Sequence, residues 1–117
     1  MISEKHLWAP TDDQVENSNM TRFAVNAGHR WGRNLGTYRS LHSWSVSEPD
    51  EFWRSIWDWT DVVGSGPLDS VVQNPDRVPG ARWFPNVTLN FAENLLRRRD
   101  NAPALIFRSE DKVKRTV

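Results

Sequence analysis

Apolar residues recur at helical spacing in three successive stretches and then lose that rhythm. Met20, Phe23, Ala24 and Ala27 fall at intervals of 3, 1 and 3 behind Ser18. That pattern predicts one face of a helix with a serine cap at its start. Gly28, Gly32 and Gly36 then break the pattern, so the helix is expected to end between them. In "YRSLHSWSV", Tyr38, Leu41 and Trp44 stand three apart and predict a second, short helix. The third stretch, "SEPDEFWRSIWDWT" from Ser47 to Thr60, is the clearest. Ser47 is the expected cap, Pro49 suits a first turn, and Glu48, Asp50 and Glu51 complement the helix dipole. At about 100° per residue, Phe52, Trp53, Ile56, Trp57 and Trp59 span an arc of roughly 160°. Such a width over three turns predicts a helix covered from more than one side, or wedged between two elements.

The remaining segments carry weaker periodicity. "EKHLWAPTDDQVENSNM" reads as an extended arm anchored by Trp8 and Pro10, because Pro10 disfavours helix at Ala9. Between the third helix and residue 86, Gly, Pro and Asn are scattered among valines, which predicts loops with short extended pieces at 70–73 and 82–84. A last helix is expected from Asn90, with Glu93 at capping-box spacing. Its Phe91, Leu95 and Leu96 are expected to face inward, with Arg97, Arg98 and Arg99 at the dipole-favoured C-terminal end. Residues 103–117 read as a β-hairpin turning near Glu110 and Asp111 and returning through Val113 and Val117. A lone hairpin is not stable, so the expected fold class is an α+β fragment, a mainly helical N-terminal cap followed by a β-hairpin.

Composition narrows the class. The chain has 117 residues, enough for one modest domain, with seven Trp and an apolar share of 38%. That share lies below the usual ~45–50%, a count that also includes Gly, and it predicts marginal stability for the isolated chain. Fifteen basic and fifteen acidic residues balance to zero, so charge offers no reason to expect a nucleic acid or an anionic membrane as partner. There is no cysteine, which excludes disulfides and thiolate chemistry. Glu4 and Lys5 occupy a start that lacks a signal-type apolar region. No apolar run reaches the ~20 residues of a membrane span. A soluble, cytoplasmic protein is the expectation.

Candidate chemistry is sparse. "GSGPLD", Gly64 to Asp69, has Asp where a dinucleotide fingerprint needs its last Gly, and Pro67 removes an amide, so a plain turn is the better reading. His6, His29 and His42 lack the i, i+3 or i, i+4 spacing that puts two metal ligands on one helical face. No Gly-x-Ser-x-Gly elbow is present. Asp12, Asp13, Glu48, Asp50 and Glu51 sit at helix starts, where capping and dipole terms account for them. "NVT" at 86–88 is a glycosylation acceptor only in a secreted protein. The Trp cluster with Arg54 beside Trp53 could stack bases, but its helical spacing favours packing. No catalytic, cofactor-binding or metal residue is expected in these residues.

Six blocks together carry a resemblance: "WAP" at 8–10, "SNMTRF" at 18–23, "LHSWSV" at 41–46, "FWRSIWDW" at 52–59, "PGARWFP" at 79–85 and "LNFAENLL" at 89–96. In order and spacing they resemble the N-terminal region of acyl-CoA synthetases, most closely the acetoacetyl-CoA synthetase (acetoacetate–CoA ligase) branch. Acetyl- and propionyl-CoA synthetases share the Trp-Phe and Leu-Asn pattern but fit the other blocks less well, and Asn86 stands where the family often has Gly. The resemblance implies a large adenylate-forming enzyme that activates an acid with ATP and Mg²⁺ and passes the acyl group to CoA. Its phosphate loop, adenine-binding stretch and catalytic lysine all belong to later parts of the family's sequence, so no catalytic position carries over. On this reading residues 1–99 are the cap region and 100–117 the start of a truncated AMP-binding domain. The implied partner is that domain's body, packed intramolecularly. Two rivals are a stand-alone aromatic-rich interaction module and a complete small enzyme with an unfamiliar site.

Overall fold

The computed structural model describes residues 7–110 and 114–116. Its first element, α1 (Asp12–Glu16), replaces the expected extended arm. Thr11 accepts from the Gln14 amide at 3.3 Å, and the Gln14 side chain accepts from the Thr11 amide at 2.9 Å. This reciprocal cap is closed by neighbours in sequence and needs no tertiary support. Trp8 and Pro10, expected to anchor the arm, are both exposed.

Helix α2 (Asn19–Trp31) begins as expected, with Ser18 Oγ accepting from the Thr21 amide. It buries Phe23, Ala24 and Ala27, while Met20 stays exposed at the first turn. Gly28 does not end it. A Cβ at Gly28 would sit 2.8 Å from the Arg33 carbonyl oxygen, so this glycine lets the chain fold back over the helix. The end comes at Gly32, whose φ of 64° is a left-handed cap. Helix α3 (Tyr38–Ser47) starts on a second reciprocal cap, Thr37 with Ser40, and buries Leu41 and Trp44 but not Tyr38.

Helix α4 (Pro49–Trp59) follows after the single residue Glu48. The expected cap, Ser47, is instead the last residue of α3, because the Glu48 amide still donates to the Trp44 carbonyl at 2.9 Å. No side chain caps α4. Proline at its first position has no amide to satisfy, which lowers the need for one.

The wide aromatic face of α4 is wedged between two elements, as its arc predicts. On one side the Phe52 ring meets Phe23 at 6.0 Å and Trp44 at 5.6 Å, both edge-on. On the other, Trp57 packs on Phe84 at 4.5 Å. The chain from 60 to 89 supplies that second cover. Its strands β1 (Val72–Gln73) and β2 (Arg82–Trp83) coincide with the two expected extended pieces and pair antiparallel, Val72 opposite Trp83. Beyond lie α5 (Phe91–Leu95), capped by Asn90, and a hairpin of β3 (Ile106–Arg108) with β4 (Lys114–Thr116). Asp111, Val113 and Val117, assigned to that hairpin's turn and return strand, lie outside the described residues.

The core is correspondingly small: Phe23, Ala24, Ala27, Leu35, Leu41 and Trp44, with Trp31, Phe52 and Ile56 at its edge. The Cα radius of gyration is 19.4 Å, against about 13 Å for a compact chain of this length. Among the described residues no helix is long and apolar enough to cross a membrane.

Candidate functional site

Two of the carboxyls with perturbed chemistry, Glu51 and Asp58, tie α4 to the segments around it, whereas the third, Asp100, is lowered by its exposed neighbour Arg98. Arg33 donates from Nε and Nη2 to Glu51 at 2.8 and 3.0 Å, and Trp44 Nε1 donates to the same carboxylate at 2.7 Å. The Arg33 hydrogen bond holds Glu51 below the usual carboxylate range and Glu51 raises Arg33 in turn, with burial opposing both. Asp58 accepts from Arg30 at 2.7 Å and from Arg54 at 3.1 Å. Burial pushes its carboxyl up, but the two guanidinium bonds together outweigh that and hold it low. So Glu51, read from sequence as a dipole residue, is chiefly an ion-pair partner that joins the 32–36 turn to α3 and α4. Buried Ser55 closes the same region, accepting from Trp31 Nε1 and donating to the Glu51 carbonyl, each at 2.8 Å.

The motifs weighed in the sequence resolve into backbone geometry. Within "GSGPLD", the Ser65 amide and carbonyl pair with Thr88 at 2.8 and 2.9 Å. An amide already bonded cannot cradle a phosphate. Gly66 has φ of 126°, and a Cβ there would lie 2.2 Å from the Asn86 carbonyl oxygen, so its glycine serves chain crossing. The Asn86 side-chain amide donates to Asp69 at 2.9 Å. Arg54 donates to Asp58 and to the Leu68 carbonyl, which takes the cation away from the Trp53 face. His42 stacks on Tyr38, and His6 lies outside the described residues. Among the described residues no group of three or more His, Cys, Asp or Glu side chains could hold a metal ion.

What the structure does present is uncovered apolar surface, much of it in residues 83–107. Trp53 and Trp83 stack edge-on at 5.2 Å and both remain exposed. In α5, Phe91, Leu95 and Leu96 were expected to face inward. They are exposed by 74%, 68% and 60%. Leu105, Ile106 and Phe107 are exposed too, although successive strand residues point to opposite faces of a sheet. Neither face of strand β3 is covered. At about 175 Å² for each large side chain, these six expose roughly 700 Å².

Sequence reasoning missed Asn94, the half-buried residue by which α5 is joined to the chain before it. Its side chain exchanges hydrogen bonds with both the amide and the carbonyl of Val63, each at 2.8 Å. Asn in the middle of an apolar helical run is the only local signal. Arg97, read as a dipole residue of its own helix, instead reaches the Thr60 and Asp61 carbonyls just past α4.

The sequence profile of the acetyl-coenzyme A synthetase N-terminus family matches residues 38–95. An acetoacetyl-coenzyme A synthetase of Rhizobium meliloti (strain 1021) is 45% identical over 113 residues, which are 97% of this chain and 17% of that protein. A malonamoyl-CoA synthetase, vrtB, of Penicillium aethiopicum is 36% identical over 97 residues, 80% of this chain and 13% of that one. Among solved structures, an acetoacetyl-CoA synthetase from Streptomyces lividans superposes with a TM-score of 0.75 at 40% identity, covering 85% of this chain and 16% of that chain. The chain thus spans about a sixth of the length of the acetoacetyl-CoA synthetases it matches.

Proposed function

Given that this chain belongs to the N-terminal region of the acetoacetyl-CoA synthetase family, we propose that it is the cap of an acetoacetate–CoA ligase. Residues 1–99 form the cap and 100–117 enter the AMP-binding domain. The whole cytoplasmic enzyme would activate acetoacetate with ATP and Mg²⁺ to an acyl-adenylate and transfer the acyl group to CoA, releasing AMP. The cap itself performs no chemical step. Its task is to seat apolar surface on the body of the large domain.

One observation carries this reading: an alignment through nearly the whole chain coincides with large side chains left uncovered at 91–107. The malonamoyl-CoA relative shares this region while its name gives a different acid, which supports placing acid selection in the rest of the enzyme. The test is a chimera in which these 117 residues replace the aligned N-terminal region of the Rhizobium protein. With ATP, Mg²⁺, acetoacetate and CoA, the chimera is expected to form AMP and the isolated chain to form none above background. AMP from the isolated chain would overturn the assignment of a packing role.

A further inference from the structure

Helix α5 is mounted inside out. Asn94 is its one residue that is not exposed, and its side chain behaves as a strand neighbour would. Oδ1 accepts from the Val63 amide, and Nδ2 donates to the Val63 carbonyl and to the Asn90 carbonyl at 3.0 Å. Just beyond the helix, Arg97 donates to the carbonyls of Asn94, Thr60 and Asp61. The last two lie just past the C-terminus of α4, where carbonyls have no helical partner and a cation is favoured. The polar edge of α5 is therefore fastened to the cap across more than thirty residues of chain. Around the helix, Ala92 stands about 160° from Asn94, opposite the joint, Leu95 about 100° round to its side, and Phe91 about 60° away beside it, and Phe91 and Leu95 are both exposed.

We propose that Asn94 and Arg97 are positioning residues that set the angle at which Phe91, Leu95 and Leu96 meet the AMP-binding body, the occupant of this face. This rests on the cap reading above. Two facts favour the body over a second copy of the chain. Some five-sixths of each acetoacetyl-CoA synthetase relative lies outside the aligned region. The exposed residues also continue in sequence to strand β3, which lacks cover on both faces.

The experiment follows hydrogen–deuterium exchange of residues 89–97 in the isolated chain and in the Rhizobium chimera. Amides of α5 are expected to exchange at least tenfold more slowly in the chimera. Asn94→Ala and Arg97→Gln are each expected to abolish that gain while leaving α2 to α4 as protected as before. Arg97→Lys, which keeps one charged donor, is expected to recover part of it. Should Asn94→Ala fail to fold, the two Arg97 variants still decide the matter. Undiminished protection in the Arg97 and Asn94 variants would overturn the positioning role and leave the cap reading standing. A folded wild-type chimera without protection would sink the cap reading itself. Protection that rises with concentration in the isolated chain would name a second copy as the occupant and overturn the proposal.

Discussion

At the scale of single residues, the described structure is held by a few shared polar atoms. Glu51 receives three hydrogen bonds from Arg33 and Trp44, and Asp58 receives two from Arg30 and Arg54. Both carboxyls are held below their ordinary values in the folded state. A group whose folded pKa is depressed adds stability above its unfolded pKa and loses it as pH falls through the folded one. Stability is therefore expected to be flat from neutral pH to about 5 and to fall below about 4, the ordinary range of Asp and Glu. Thermal melts followed by circular dichroism across that range check this. Glu51→Gln should lower the neutral-pH stability by roughly 1 kcal/mol and flatten the acid limb. Ser55→Ala leaves the Trp31 indole N–H without its partner. A loss of about 1–3 kcal/mol in chemical denaturation is expected.

Single elements differ in how far local sequence specifies them. Helix α2 was legible because Ser18 caps it and its apolar spacing matches the helical period, and α3 from spacing alone, its Thr37 cap having gone unread. The α3–α4 corner was not. Ser47 is a competent cap by type, but the hydrogen bond from the Glu48 amide to Trp44 extends α3 over it. Thr37→Ala is accordingly expected to cost about 1 kcal/mol and Ser47→Ala close to nothing, read as shifts of the urea midpoint at constant slope. The reverse order would mean that Ser47 caps α4 after all. Helix α1 was missed for a related reason. Pro10 argues against helix only at Ala9, whereas the Thr11–Gln14 pair starts one immediately afterwards.

For the molecule as a whole, the radius of gyration and the uncovered rings describe the same thing. In a closed domain, exchanging Phe91, Leu95 and Phe107 for serine would cost several kcal/mol at each buried site. Here these side chains face outward, so the triple variant is expected to keep the helical melt of the parent. It should also bind less of a hydrophobic dye and self-associate less in sedimentation. A triple variant that unfolds would show that the three side chains pack within these 117 residues.

Sequence alone determined the three central helices, the two short extended pieces around 72 and 83 and the resemblance to acyl-CoA synthetases. Each of these is written in neighbouring residues, as caps, periodicity, residue type or block order. Direction was another matter. Whether Phe91 and Leu95 face in or out depends on which surface their helix finds, and that was decided by Asn94 meeting the backbone of Val63, 31 positions earlier. Those bonds fix which edge of a five-residue helix meets the rest of the chain, and apolar periodicity carries no record of a partner so distant in sequence. An amphipathic pattern states that a face will be buried; only the fold states against what.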